Sequence, residues 1–88
     1  MIKIKDNFML REVAGSYAVV PVGNASTSFK GMISLNETGA FLWRHLAKGI
    51  TKEDLVKKML EEYDVSEDLA TNHIEAFIKK LKESGIVE

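Results

Sequence analysis

The chain has no cysteine among its 88 residues, which excludes a disulfide framework, a thiolate metal site and a thiol nucleophile. It also lacks any apolar run approaching the ~20 residues that a membrane-crossing helix needs. Its opening, MIKIKD, has no apolar stretch of the kind that marks a secretion signal. A cytoplasmic protein that does not engage a membrane is therefore expected, and the N-x-S/T strings at Asn24 and Asn36 are read as chance. An excess of positive charge is missing too. Twelve Lys and Arg face 13 Asp and Glu, for a formal net charge of −1. Binding to nucleic acid draws on counterions released by basic side chains, so no nucleic-acid partner is expected.

What remains has the composition of an ordinary folded domain, 45% hydrophobic and 28% charged. That is too apolar for a disordered chain, and the length suits one domain with one core. The expected division is residues 1–35 as strands and residues 36–88 as helices. Residues 8–14 (FMLREVA) read as a first strand, with Gly15-Ser16 as the turn that follows. Residues 17–22 (YAVVPV) are β-branched and short, a return strand whose Pro21 belongs at an edge or a strand end. Residues 23–28 (GNASTS) form a polar loop, and Met32, Ile33, Ser34 and Leu35 form a third strand that Phe29 can join.

The second half is punctuated by three helix caps. Asn36 precedes an apolar stripe of Leu42, Trp43, Leu46 and Ile50, and Gly49 supplies the stop. Thr51 precedes Leu55, Val56, Met59, Leu60 and Tyr63, which share one helix face. Ser66 opens a third helix that runs to about Ser84. Each such cap contributes about 1 kcal/mol. Ile86 and Val87 form a short apolar tail expected to pack back on the core. On the third helix, Ala70, Ile74, Phe77 and Leu81 fall on one line, with Leu69 and Ala76 on one shoulder and Ile78 on the other. That breadth fits either a wide core face or a core face with one shoulder left as the wall of a groove.

Residues that could carry chemistry are few. His45 and His73 stand far apart and belong to no metal-binding spacing; they are expected on the outer side of the first helix and the shoulder of the third. Glu61, Glu62, Glu67 and Asp68 suit helix ends and caps, Ser26, Thr27 and Ser28 have no base partner, and Gly31 and Gly39 form no phosphate loop. Without an activated nucleophile or a matched acid and base, no enzyme, cofactor or metal site is expected. The element order gives an α+β, winged-helix-like fold, which raises DNA binding as an alternative. Against it, Lys79, Lys80 and Lys82 share the last helix with Glu67, Asp68, Glu75 and Glu83, and that helix has no Arg to read guanine.

The residues also carry a resemblance. The run at 29–46 (FKGMISLNETGAFLWRHL) is similar to the centre of the coenzyme PQQ synthesis protein D family, where a third strand leads into an Asn-capped helix. The similarity continues through residues 49–55 (GITKEDL), 62–65 (EYDV) and 70–74 (ATNHI), and on through Phe77, Leu81 and Gly85; residues 8–15 (FMLREVAG) resemble the family's first strand. A departure is His73, where many relatives carry Asp. The resemblance implies a non-catalytic recognition element for ribosomally made, modified peptides. In that picture a precursor's leader segment adds as a further strand between the third strand and the third helix, and the module presents it to a modifying enzyme. Radical S-adenosylmethionine enzymes are frequent partners of such stand-alone members. Residues 32–35 of the strand and Leu69, His73, Ile74, Phe77 and Lys80 of the helix are the implied peptide contacts, with Lys80 placed to meet an acidic leader residue. A winged-helix regulator of DNA or protein and an adaptor that holds an enzyme without touching substrate are the other classes open. A second copy of the chain is a further candidate partner at the exposed strand edge.

Overall fold

The structure, a computed structural model, describes residues 1–5, 7–22 and 33–87. Three strands come first: β1 (Phe8–Val13), β2 (Ser16–Pro21) and β3 (Ile33–Leu35). Three helices follow: α1 (Glu37–Lys48), α2 (Lys52–Glu62) and α3 (Glu67–Glu83). The expected α+β order of three antiparallel strands and three helices is the observed one. Met32, Phe29 and the loop expected at 23–28 lie outside the described residues.

The hairpin turn falls one residue earlier than the sequence suggests. Val13 pairs with Ser16, so the two-residue loop is Ala14-Gly15 and Ser16 already belongs to β2. Ala14 has φ 53° and Gly15 φ 81°. Positive φ at both central residues is the type I′ pattern, whose twist matches that of the flanking strands. Glycine takes this conformation freely, whereas an alanine Cβ is crowded there.

β2 is the central strand of the sheet, in the order β1-β2-β3. Pro21 closes the β1–β2 ladder opposite Phe8, at the end of its strand as expected. Side chains alternate across a sheet, so Glu12, Tyr17 and Leu35 form one row on one face, and Leu10, Val19 and Ile33 form the next. That face meets the helices. Val19 is fully buried and Leu35 nearly so, and they join Leu42, Trp43, Leu46, Leu55, Met59, Ala70, Ile74, Ile78 and Leu81 in a continuous core.

All three caps are where the sequence puts them. The Asn36 side chain accepts from the Gly39 N–H at 2.7 Å, Thr51 from Asp54 at 3.1 Å and Ser66 from Leu69 at 3.2 Å. Gly49 ends α1 at φ 84° and donates to the Leu46 carbonyl at 3.1 Å. Ile86 and Val87 do pack on the core, and Ile86 is fully buried. The first residues are part of the same packing. Ile2 exchanges backbone hydrogen bonds with Ile50 at 2.8 and 3.0 Å, Lys5 donates to Ile86 at 2.9 Å, and Ile4 is buried. The alternation Ile2-Lys3-Ile4-Lys5 is the half-buried strand pattern that announces this.

Replacing Ala14 with Asn, which tolerates the left-handed region, should stabilise the fold by about 0.5–1 kcal/mol. The check is urea unfolding, with a higher midpoint at an unchanged slope.

Candidate functional site

The candidate site is a groove between β3 and α3. β3 follows from a short apolar sequence that ends at the Asn36 cap, so the chain passes from strand to helix with no intervening loop. Gly39 allows the close approach. A Cβ placed there would sit 3.2 Å from the Asn36 Oδ1 and 3.3 Å from the Leu35 Cβ. A glycine inside a helix costs roughly 1 kcal/mol relative to alanine; here it lets the first turn of α1 lie against the end of β3.

The far wall comes from α3. At roughly 100° per residue, Ala70, Ile74, Ile78 and Leu81 lie on one stripe, and all four are buried. Leu69, His73, Ala76 and Lys80 lie on a second stripe, and all four are exposed. Phe77 stands between the two and is half-buried. The breadth of the apolar pattern therefore has both sources, a core face and a wall beside it. Ser34, Leu35, Asn36 and Gly39 face His73, Ala76, Phe77 and Lys80 across a groove of about 250 Å³.

Of the residues expected at a peptide site, Ser34, Leu35, His73, Phe77 and Lys80 are brought together in this groove. Leu69 stands one turn further along the same stripe, 49% exposed, large and apolar with no cover among the described residues. Ile33 is half-buried against the core rather than in the groove lining. Ile74 is fully buried; it holds α3 to the core and presents no surface, which corrects its reading as a contact residue. Met32 lies outside the described residues. Asn36 and Gly39 line the groove without having been expected there, and Ala76, read as part of a shoulder of the helix but not named as a contact, lines it too. For Ala76 the signal was its spacing of three from His73; for Gly39 it was a glycine set three residues after a helix cap. His45 is half-buried instead of facing outward, because its ring packs edge-on to Phe41 at 4.8 Å.

The sheet has two edges, and they differ in charge. β1 carries Arg11 and Glu12 in its second half, with Glu12 on the core-facing side. A strand added there would have to bury that carboxylate, which is costly without a partner, and inward-pointing charge is a usual guard on edge strands. β3 carries only Ile, Ser and Leu, and among the described strands it is paired on one side only, by β2. Of the two, β3 is the edge open to an added strand.

The described residues contain no group of three or more His, Cys, Asp or Glu able to hold a metal ion, and no helix among them is long and apolar enough to cross a membrane.

Comparison with known proteins bears on the family and the fold. The family model for coenzyme PQQ synthesis protein D matches residues 10–87. Curated protein sequences give no significant match. Among solved structures, the chain is similar to TbiB1 in complex with the TbiA(beta) leader peptide, with a TM-score of 0.78 at 19% identity, over 98% of this chain and 94% of that one. It is also similar to a lasso peptide synthetase B1 complexed with the leader peptide, with a TM-score of 0.78 at 21% identity, over 99% of this chain and 96% of that one. At such identities the likeness concerns the fold.

Replacing Glu12 with Val removes the guard on the β1 edge. The variant should self-associate at lower concentration than the parent in sedimentation velocity; an unchanged monomer–oligomer balance would show that Glu12 does not protect this edge.

Proposed function

The chain belongs to the coenzyme PQQ synthesis protein D family, and from that premise we propose that it is a non-catalytic module that captures the leader segment of a ribosomally made precursor peptide. The leader adds as a strand to β3, and its side chains lie against the exposed stripe of α3. The observation that carries this reading is the pairing of an uncharged open strand edge with an adjoining helical wall. Strand addition takes its affinity from main-chain hydrogen bonds and its selectivity from pockets for alternate side chains. β3 offers the backbone, while Leu35, Ala76 and Phe77 offer an apolar pocket. His73 and Lys80 stand at its rim, where Lys80 can pair with an acidic leader residue. The leader complexes of the two similar structures support the same occupant.

Nothing in this arrangement changes a bond. The module's contribution is local concentration: a captured precursor is presented to its modifying enzyme as a near-intramolecular substrate. A radical S-adenosylmethionine enzyme is the proposed partner class, in a cytoplasmic setting. The DNA-binding alternative finds no support in the charge balance of −1 or in α3, whose exposed stripe carries Leu69, His73 and Ala76 beside a single lysine.

The test is a titration with a synthetic leader peptide, taken from a precursor encoded beside this chain's gene. Binding in the micromolar range or tighter is expected, with the largest amide shifts and new exchange protection at Ile33–Leu35. Ala76→Arg fills the groove from an exposed helix position, where the change costs only a few tenths of a kcal/mol. It should leave the unfolding midpoint nearly unchanged and weaken leader binding at least tenfold. Unchanged binding by the folded variant would remove the groove as the site. Steeply salt-dependent binding to duplex DNA, with no leader affinity, would replace the whole reading.

A further inference from the structure

A second crevice lies at the other edge of the sheet and shares no residue with the leader groove. Leu10 and Glu12 of β1, Tyr17 of β2, and Trp43, Arg44, Ala47 and Lys48 of α1 enclose about 480 Å³. The two sites divide α1 between them: its first turn borders the leader groove and its last two turns border the crevice. The floor is apolar. Trp43 is almost wholly buried and shows little more than a rim, whereas Tyr17 is half-buried. Above it, the Arg44 guanidinium stands 5.6 Å from the centre of the Tyr17 ring, an arrangement that holds the cation by its attraction to the ring face. Lys48 follows one turn later on the same face of α1.

Among the described residues, neither Arg44, Lys48 nor Glu12 takes part in an ion pair. Two unpaired cations, one of them oriented by an aromatic ring, therefore look over an apolar floor containing the chain's only tryptophan. Tryptophan, tyrosine and arginine are the residue types that dominate protein–protein contact energies. Two cations against the one carboxylate of Glu12 leave the crevice lining net positive, which sets the sign of the occupant, and Glu12 at the β1 rim disfavours an occupant that adds as a strand. We infer that this crevice docks a segment of a partner protein that carries carboxylates beside aliphatic side chains. A carboxylate would lie between Arg44 and Lys48, and an aliphatic group would cover Leu10 and the Tyr17 ring. That the partner is the modifying enzyme rests on the leader-capture reading; the crevice's preference for acidic chain does not. Because the two sites are separate, one module holds leader and enzyme together.

The test uses a short blocked peptide alternating leucine with glutamate, and its leucine–lysine counterpart, each titrated into the full chain by heteronuclear NMR. The acidic peptide should shift the Trp43 indole, the Tyr17 amide and the Arg44 side chain, leaving Ile33–Leu35 in place, and the lysine peptide should not. Arg44→Glu should weaken the acidic peptide at least tenfold. The double variant Arg44→Glu with Lys48→Glu should exchange the preference for the lysine peptide; both positions are exposed, so the fold tolerates them. Equal response to both peptides, no response at millimolar peptide, or shifts confined to β3 and α3 would overturn the assignment. So would a dimer in sedimentation that Arg44→Glu dissolves, which would make a second copy the occupant. Leader binding is read at Ile33–Leu35 in a separate titration, so failure at one site is not mistaken for failure at the other.

Discussion

Backbone hydrogen-bonding capacity at the rim of a small sheet is the constraint on which the rest of this molecule depends. A sheet of three strands leaves one row of N–H and C=O groups unpaired on each outer strand, and such rows invite another chain. The two rows are treated differently. On β1, Arg11 and Glu12 stand in the second half of the strand, and Glu12 lies on the helix-facing side, where an added strand would have to cover its charge. On β3, three uncharged residues end at a helix cap, and a second wall rises beside them. Of the two edges, the asymmetry leaves β3 the one suited to an added strand.

The rest of the fold holds that edge in position. Among the described residues, three of β3 pair with β2, a ladder too short to hold the strand by itself. Leu35 anchors it from the buried side, and Asn36 converts the end of the strand directly into α1. α3 is fixed independently, through Ala70, Ile74, Ile78 and Leu81 and through Ile86 in the tail beyond it. The first residues then close the far side, with Ile2 hydrogen-bonded to Ile50 and Lys5 to Ile86. Strand and wall thus rest on one core and cannot drift apart without disturbing it, which makes the groove preorganised, a property that lowers the ordering cost of binding.

Much of this was legible from residue spacing. Caps at Asn36, Thr51 and Ser66 are local chemistry, and so is the stop at Gly49; each depends on residues within one turn, so the sequence displays it directly. The exposed stripe of α3 was legible as surplus apolar surface, though its role was not, because periodicity cannot tell a core face from a groove wall. What escaped depends on contacts between distant parts of the chain. Nothing beside Ala14 in sequence announces that it must take positive φ; the register of the whole hairpin imposes it. Ile74 lies beside contact positions on a helical projection, yet the core claims it entirely. Gly39 shows in the sequence only as a glycine three residues past a helix cap; what requires it is β3 pressing against it.

The dimensions of the groove limit how the grip can work. Three strand residues span about 10 Å and can support only a few intermolecular backbone hydrogen bonds, each worth about 0.5–1.5 kcal/mol net. Ordering a flexible peptide costs about 2–5 kcal/mol, which consumes most of that gain. Burying one or two apolar side chains adds about 1.5–3 kcal/mol each, and only with them does the balance turn clearly favourable. α3 is suited to supply the difference, since its 17 residues extend about 25 Å at 1.5 Å per residue, more than twice the length of β3. From Leu69 to Lys80, about 17 Å of that length, it presents an exposed stripe. On the proposed reading the strand edge therefore sets the direction and register of a captured peptide, whereas the choice among peptides falls to the helix wall, where His73, Ala76, Phe77 and Lys80 differ in size and charge while the backbone they face does not.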